Sequence, residues 1–84
     1  MPQRNEICAM TKRNSTLAAF GRSVRSRREA KGLTQEKLAE LAELDRTFIS
    51  NVERGGRNLS LLNMHRIAKA LRTSISELTR GLDD

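Results

Sequence analysis

Residues that end or begin helices recur at short intervals along this chain, and they restrict it to short helices. In chain order they are Gly32 with Thr34, then Asp45, then Gly55 and Gly56 with Ser60, and finally Ser74 with Glu77. Glycine accepts the left-handed conformation that follows a helix, whereas the side-chain oxygen of Thr, Asp or Ser accepts a hydrogen bond from the next helix's first turn. We therefore expect each helix to begin and end at one of these signals, with a capping box at the last pair.

Apolar residues between these signals recur with the spacing of buried helix faces. Leu17, Phe20 and Val24 follow the helical period, and Ser15 or Thr16 is placed to cap the start of that helix. The later helices carry the sets Leu38, Ala39, Leu41 and Ala42; Phe48, Ile49 and Val52; Leu61, Met64, Ile67, Ala68 and Leu71; and Ile75, Leu78 and Leu82. No stretch alternates as a strand does. The pattern predicts an all-α domain of five short helices over 17–82, preceded by a flexible arm over 1–16.

The charge of the chain is positive and concentrated near its beginning. Sixteen Lys and Arg stand against ten Asp and Glu, which gives a net charge of +6 over 84 residues. Residues 1–33 hold eight basic and two acidic residues, so this segment accounts for the whole excess. Arginine presents a planar donor fork that suits phosphate. This distribution is typical of a small domain that binds a polyanion.

Several function classes are disfavoured by composition. One Cys cannot form an internal disulfide, and no cluster of metal ligands is present in the sequence, so we expect neither a metal nor a cofactor. No apolar run approaches the roughly 20 residues that cross a bilayer, and no signal peptide is evident. No nucleophile is paired with a base, and no glycine-rich phosphate loop occurs. We expect a protein located in the cytoplasm that is not an enzyme and does not bind membranes.

The second and third helices are separated only by Glu43, Leu44 and Asp45, which is the spacing of a helix-turn-helix. The run LTQEKLAELAELDRTFISNVERG, over 33–55, resembles the helix-turn-helix of lambda-repressor-like proteins. The match rests on Thr34-Gln35, Leu38-Ala39, Ile49 and Glu53 at fixed spacing, and the resemblance covers about 17–82. It implies a five-helix lambda-repressor-like DNA-binding domain.

A longer run, DRTFISNVERGGRNLSLLNMHRIAKAL, is similar to the controller proteins of restriction–modification systems. This resemblance implies a homodimeric transcriptional regulator that binds palindromic operators in double-stranded DNA and times endonuclease expression relative to the methyltransferase. An activator of this kind would also contact RNA polymerase, at the nucleoid. Two residues depart from the pattern, since Glu43 replaces the usual glycine of the turn and Phe48 replaces a frequent tyrosine.

The third helix carries the candidate base-reading residues. In a helix-turn-helix this helix enters the major groove with its N-terminal residues nearest the bases. Arg46 offers a bidentate donor pair to guanine, Thr47 a hydroxyl and a methyl group, and Asn51 an amide that matches adenine. Ser50 is a further candidate on the same face.

Other residues are expected to hold the DNA backbone or the fold. By resemblance, the Gln35 amide reaches a phosphate, assisted by the positive N-terminus of its helix. Candidates for backbone or base contact are Arg54, Arg57, Asn58 and Arg25. Also by resemblance, Arg28 and Glu53 form a partly buried ion pair between helices 1 and 3. Loss of DNA binding in Arg28→Ala would then report a folding defect.

A dimer is expected because one short recognition helix reads too few base pairs to specify a genomic site. Five small helices cannot bury every apolar residue near the C-terminus. We assign the interface to the remaining apolar residues, which are Leu61, Leu62, Ile75, Leu78 and Leu82.

Three alternatives remain open on the sequence. One is a repressor of the phage or xenobiotic-response type. Another is an antitoxin that binds a toxin, for which only residues 1–16 are spare and a stoichiometric protein partner would be recovered. The third is a redox sensor at Cys8, with Arg4 nearby to favour the thiolate.

Overall fold

Helices and the turns between them make up the described part of the chain. A computed structural model describes the backbone over residues 2–82 and the side chains from residue 15 to residue 82. Its helices are α1 (Pro2–Ala30), α2 (Gln35–Ala42), α3 (Arg46–Glu53), α4 (Leu61–Ala70) and α5 (Ile75–Leu78). No strand occurs in this described part, and none of its helices is long and apolar enough to cross a membrane. The predicted all-α architecture of five helices is confirmed.

Hydroxyl caps open three of the helices where the sequence predicts them. Thr34, Ser60 and Ser74 each accept a hydrogen bond from the backbone N–H three residues onward, at 3.0, 3.1 and 3.0 Å. Asp45 occupies the N-cap of α3 with extended backbone, but its side chain makes no capping hydrogen bond. The predicted position of the α3 start is therefore correct, whereas the predicted side-chain cap is absent.

The capping box at the start of α5 forms only in part. Ser74 accepts from the Glu77 N–H, as predicted. The Glu77 carboxylate, however, lies 3.5 Å from Arg27 and 3.3 Å from Arg80. Glu77 therefore links α5 to α1 instead of turning back to the N-cap.

The first helix begins much earlier than the sequence analysis predicts. Helix α1 starts at Pro2, so the predicted start near Ser15 or Thr16 is wrong and the helix has no break at residue 16. The physical reason is that residues 3–20 contain no glycine or proline that would interrupt a helix. The one proline, Pro2, lies in the first turn, where proline is tolerated. The division into an arm and a domain stays a prediction, and the side chains of Arg4 and Cys8 lie outside the described residues.

All five helices contribute to one core. Its buried apolar residues are Phe20, Val24, Leu38, Ala39, Ala42, Ile49, Val52, Ile67, Ala68, Leu71 and Leu78. Leu78 is fully buried, so its predicted place in a dimer interface is wrong: the side chain completes the monomer core. Leu41 is exposed, although its helical spacing predicts burial. Leu61, which the sequence assigns to the dimer interface, is exposed as well. Ile75 and Leu82 are half-buried and pack against the core.

Two glycines place α1 directly against the end of α3. A Cβ atom at Gly21 would overlap the carbonyl oxygen of Val52, and one at Gly55 would lie 2.8 Å from the Cα of Ala18. Gly55 also has φ +77°, a conformation that other residues rarely adopt. The backbones of α1 and α3 therefore touch, and this contact fixes where α3 lies in the domain.

Candidate nucleic-acid interface

Helix α3 has one buried face and one polar face. Ile49 and Val52 are fully buried against the core. On the other side Arg46 and Thr47 are exposed in the first turn, and Ser50 and Asn51 are half-buried one turn later. The four predicted base-reading residues therefore lie on the polar side of a single short helix.

The turn between α2 and α3 is built around a strained residue. Glu43 has φ 59° and ψ 42°, the left-handed conformation that the usual glycine would adopt easily. For a residue with a side chain this conformation costs about 1–2 kcal/mol. The Glu43 N–H caps α2 through the carbonyls of Ala39 and Glu40, and its own carbonyl lies 3.5 Å from the Arg66 guanidinium. The turn is thus the tight one that the spacing predicts, despite the substitution.

A bidentate ion pair joins α1 to the end of α3. Arg28 donates to both carboxylate oxygens of Glu53, from Nε at 2.6 Å and from Nη2 at 3.0 Å. A third guanidinium hydrogen bond reaches the carbonyl of Leu33 at 2.7 Å. The two side chains are 11% and 3% exposed, and hydrogen bonding to Glu53 raises the pKa of Arg28. The structure contains the pair that the resemblance implies, and a charged arginine maintains it at every ordinary pH.

Gln35, at the start of α2, belongs to the same network. Its amide Nε2 donates to Glu53 Oε1 at 3.0 Å. An amide nitrogen has two hydrogens, so one bond to Glu53 leaves a second hydrogen with which to reach a phosphate. Sequence reasoning assigned Gln35 to phosphate alone and missed this second partner.

Asn51 and Arg54 are bonded to each other on the exposed side of α3. Arg54 Nη2 donates to Asn51 Oδ1 at 2.6 Å. The bond fixes the amide with its oxygen turned toward Arg54, so its nitrogen remains as the group that can donate to a base.

Arg57 lies over an aromatic ring in the segment after α3. Its Cζ atom is 5.0 Å from the centroid of the Phe48 ring. This contact was not predicted, because the two residues are nine positions apart across a glycine turn and no helical spacing joins them. The neighbouring Asn58 is exposed.

Arg25 differs from the other backbone-contact candidates. Its Nε lies 3.0 Å from a carboxylate oxygen of Glu29 on the exposed side of α1. Among the described residues no hydrogen bond connects Arg25 with α3. Its candidacy as a DNA contact stays a prediction, with its charge already partly offset by Glu29.

Comparison with known proteins identifies the family. The profile of the helix-turn-helix family matches residues 24–78, which span the end of α1 through α5. The chain belongs to the helix-turn-helix family. In helix-turn-helix terms, α2 is the supporting helix and α3 the recognition helix.

The relatives narrow the assignment within this family. Control protein C.BamHI of Bacillus amyloliquefaciens is 49% identical over 59 residues, covering 69% of this chain and 73% of the relative. Control protein C.MunI of Mycoplasma sp is 39% identical over 71 residues, covering 83% of this chain and 96% of the relative. These relatives are named as regulatory proteins and not as enzymes.

A solved structure leads to the same assignment as these two relatives. The restriction-modification controller protein C.AhdI from Aeromonas hydrophila superposes with a TM-score of 0.75 at 48% identity, covering 76% of this chain and 97% of that one. The helix-turn-helix chain described here is thus a DNA-binding transcriptional regulator of the controller-protein group. Its recognition helix is α3. The residues proposed below to read the DNA, which we call the reading surface, are Arg46, Thr47, Ser50, Asn51 and Arg57.

Proposed function

We propose that this protein controls a restriction–modification system by binding a palindromic operator as a homodimer, with the reading surface in the major groove. The observation that carries the proposal is the placement of Arg46 and Thr47, exposed in the first turn of a recognition helix whose other end is fixed by Arg28 and Glu53. The 49% identity to a named control protein supports the assignment to a restriction–modification system.

Three polar side chains of α3 each have a base that suits them. The Arg46 fork matches the O6 and N7 atoms of guanine, and the Thr47 methyl group suits the methyl of thymine. Asn51 holds its oxygen toward Arg54, so its amide nitrogen is placed to donate to guanine O6 or N7 or to thymine O4. Because the oxygen has a second lone pair, it can also accept from adenine N6 while the nitrogen donates to N7, so a bidentate contact to adenine is compatible with the Arg54 bond.

Phosphate contacts would set the register of the complex. Gln35 presents its second amide hydrogen at the positive N-terminus of α2, while Arg54 and Asn58 are exposed just beyond α3. Such contacts position a protein on DNA without reading its sequence.

Leu61 and Leu62, at the start of α4, are the basis of the proposed dimer. They are 67% and 60% exposed, and in the described part of the chain the only other large exposed hydrophobic residue is Leu41 on α2. An isologous contact across these leucines, extended by Ile75 and Leu82, would bury them. Two recognition helices would then lie about 34 Å apart, or a multiple of that distance.

Analytical ultracentrifugation tests the dimer. We expect twice the monomer mass of 9.5 kDa at micromolar concentration. Leu61→Asp should shift the protein to a monomer because it places a charge in the proposed contact, whereas Leu41→Asp should leave the mass unchanged. A wild-type protein that stays monomeric on its operator would rule the dimer out.

Footprinting tests the DNA target. The purified protein is mixed with a labelled duplex that spans the region upstream of its own gene, and cleavage protection is mapped in the presence of excess random duplex. We expect two protected half-sites related by two-fold symmetry. Equal competition by random duplex would contradict sequence-specific binding.

The same proposal places the protein at the bacterial nucleoid, in the cytoplasm, where its operators lie. At a promoter that it activates, it would contact RNA polymerase as well as DNA. In vitro transcription from the footprinted region measures the sign of the regulation at each promoter.

A further inference from the structure

Arg57 is the only guanidinium in the described part of the chain found over an aromatic ring. Its Cζ lies 5.0 Å from the centroid of the Phe48 ring, within the range of about 6 Å over which a ring face attracts a cation. Phe48 is half-buried and packs against the core, so its ring is held in place. A long surface side chain is therefore docked on a fixed platform.

The backbone that carries Arg57 is also held on both sides. Before it, Gly55 packs against α1, and the Gly56 N–H donates to the carbonyl of Asn51 at 2.9 Å. After it, Leu59 packs against the core. Because both ends of the segment are fixed, the position of the guanidinium depends mainly on the side-chain rotamers, which the ring restricts.

We propose that Phe48 is a positioning residue that holds the Arg57 guanidinium as a second base-reading guanidinium, beside that of Arg46. The proposal rests on the proposed function, since it assumes that α3 enters the major groove. Phe48 is the third residue of α3, so a guanidinium over its ring lies near the N-terminal half of the recognition helix. A planar fork at that place suits guanine O6 and N7. Holding it before binding reduces the rotamer entropy that a free arginine loses when it is immobilised.

The stacking itself is measured in the protein without DNA. We expect the side-chain protons of Arg57 to show an upfield ring-current shift by NMR. Phe48→Tyr keeps the ring face and should keep the shift, whereas Phe48→Leu should abolish it. Urea denaturation of each variant checks that the fold is retained. An unshifted Arg57 in the wild type would overturn the proposal.

A double-mutant cycle on operator DNA tests the coupling. Phe48→Leu should weaken operator binding about two- to fivefold, the range typical of a surface cation–π contact. In an Arg57→Ala background the same change should have no further effect. In an Arg54→Ala background it should keep its full effect, because Arg54 contacts Asn51 and not the ring. An equal loss with and without Arg57 would mean that Phe48 acts only through core packing, and the proposal would fail.

The base-reading part is tested with operators that carry one altered base pair at a time. Arg57→Ala should remove the preference at one base pair, different from the base pair affected by Arg46→Ala. A uniform loss across all duplexes would show a phosphate contact instead and overturn this part. A wild-type protein that prefers no duplex would contradict the proposed function. If the wild type prefers its operator but the effects of the two substitutions in the cycle are additive, only the role of Phe48 is contradicted.

Discussion

The position of Glu43 in the turn can be predicted from the sequence, although its backbone conformation there costs free energy. The three-residue gap between α2 and α3 requires a tight turn, and the structure places Glu43 there with φ 59°. Its side chain is exposed, so no described contact of that side chain offsets the strain. The free-energy cost of this backbone conformation is therefore not offset by side-chain contacts.

Glu43→Gly should raise the free energy of unfolding by roughly 0.5–1 kcal/mol. Relief of the left-handed conformation gains about 1–2 kcal/mol, and the greater freedom of glycine in the unfolded chain takes part of that back. Urea denaturation measures the change. As a control, Glu40→Gly in the helical part of α2 should lower stability by about 1 kcal/mol. If both glycines destabilise, the turn is not strained.

Arg46→Ala should weaken binding to the preferred operator by about 1–3 kcal/mol and relax the preference at one base pair. The reason is loss of the bidentate fork, so Arg46→Lys should restore charge but not the preference. Titration of labelled duplexes by fluorescence anisotropy measures both. An equal loss on scrambled DNA would instead identify Arg46 as a phosphate contact.

Polar partners distant in sequence could not be predicted from local spacing. The contacts of Gln35 with Glu53 and of Phe48 with Arg57 depend on how α2, α3 and the following segment pack together. The Arg28–Glu53 pair was anticipated only because a family resemblance supplied that packing.

Helix boundaries followed the local signals where such signals exist. The starts of α2, α4 and α5 depend on one hydroxyl and one N–H nearby, so Thr34, Ser60 and Ser74 were readable from sequence. The start of α1 was not, because helix-forming residues without a breaker allow propagation far beyond the packed part. The burial of Leu78 was missed because periodicity gives a helix face without saying what covers it.

The ion pair between α1 and α3 should be essential for stability. Arg28→Ala leaves the Glu53 carboxylate buried without its partner, which should cost about 3–5 kcal/mol. The matched control is Arg25→Ala, three positions earlier on α1, where an exposed pair with Glu29 contributes less than about 0.5 kcal/mol. Thermal unfolding followed by circular dichroism measures both. Comparable losses in the two variants would show that burial does not strengthen the Arg28 pair.

The sign of the pH dependence follows from the arginine. Since the pKa of Arg28 is raised, its stabilising contribution is present at every pH below the ordinary arginine value and is lost only as the pH rises through the folded value. We expect the Arg28→Ala deficit to be constant between about pH 6 and 9.

The domain as a whole carries a net charge of +6, and its affinity for DNA should depend steeply on salt. The logarithm of the binding constant should fall by about 0.9 per log unit of salt for each phosphate contact, because bound counterions are released. Arg54→Ala should reduce this slope by about one, whereas Arg80→Ala, a charge on the segment after α5, should not. An affinity that stays constant between low and moderate salt would exclude binding that is mainly electrostatic.

The close approach of Gly21 to the carbonyl of Val52 means that the backbone of α3 itself is packed against α1. Helix α3 is held against the domain by this backbone packing, by Ile49 and by Glu53, whereas Arg46 and Thr47 are exposed. If α3 reads DNA as proposed, exchanging those exposed side chains should change the preferred DNA sequence without disturbing the packing of the helix.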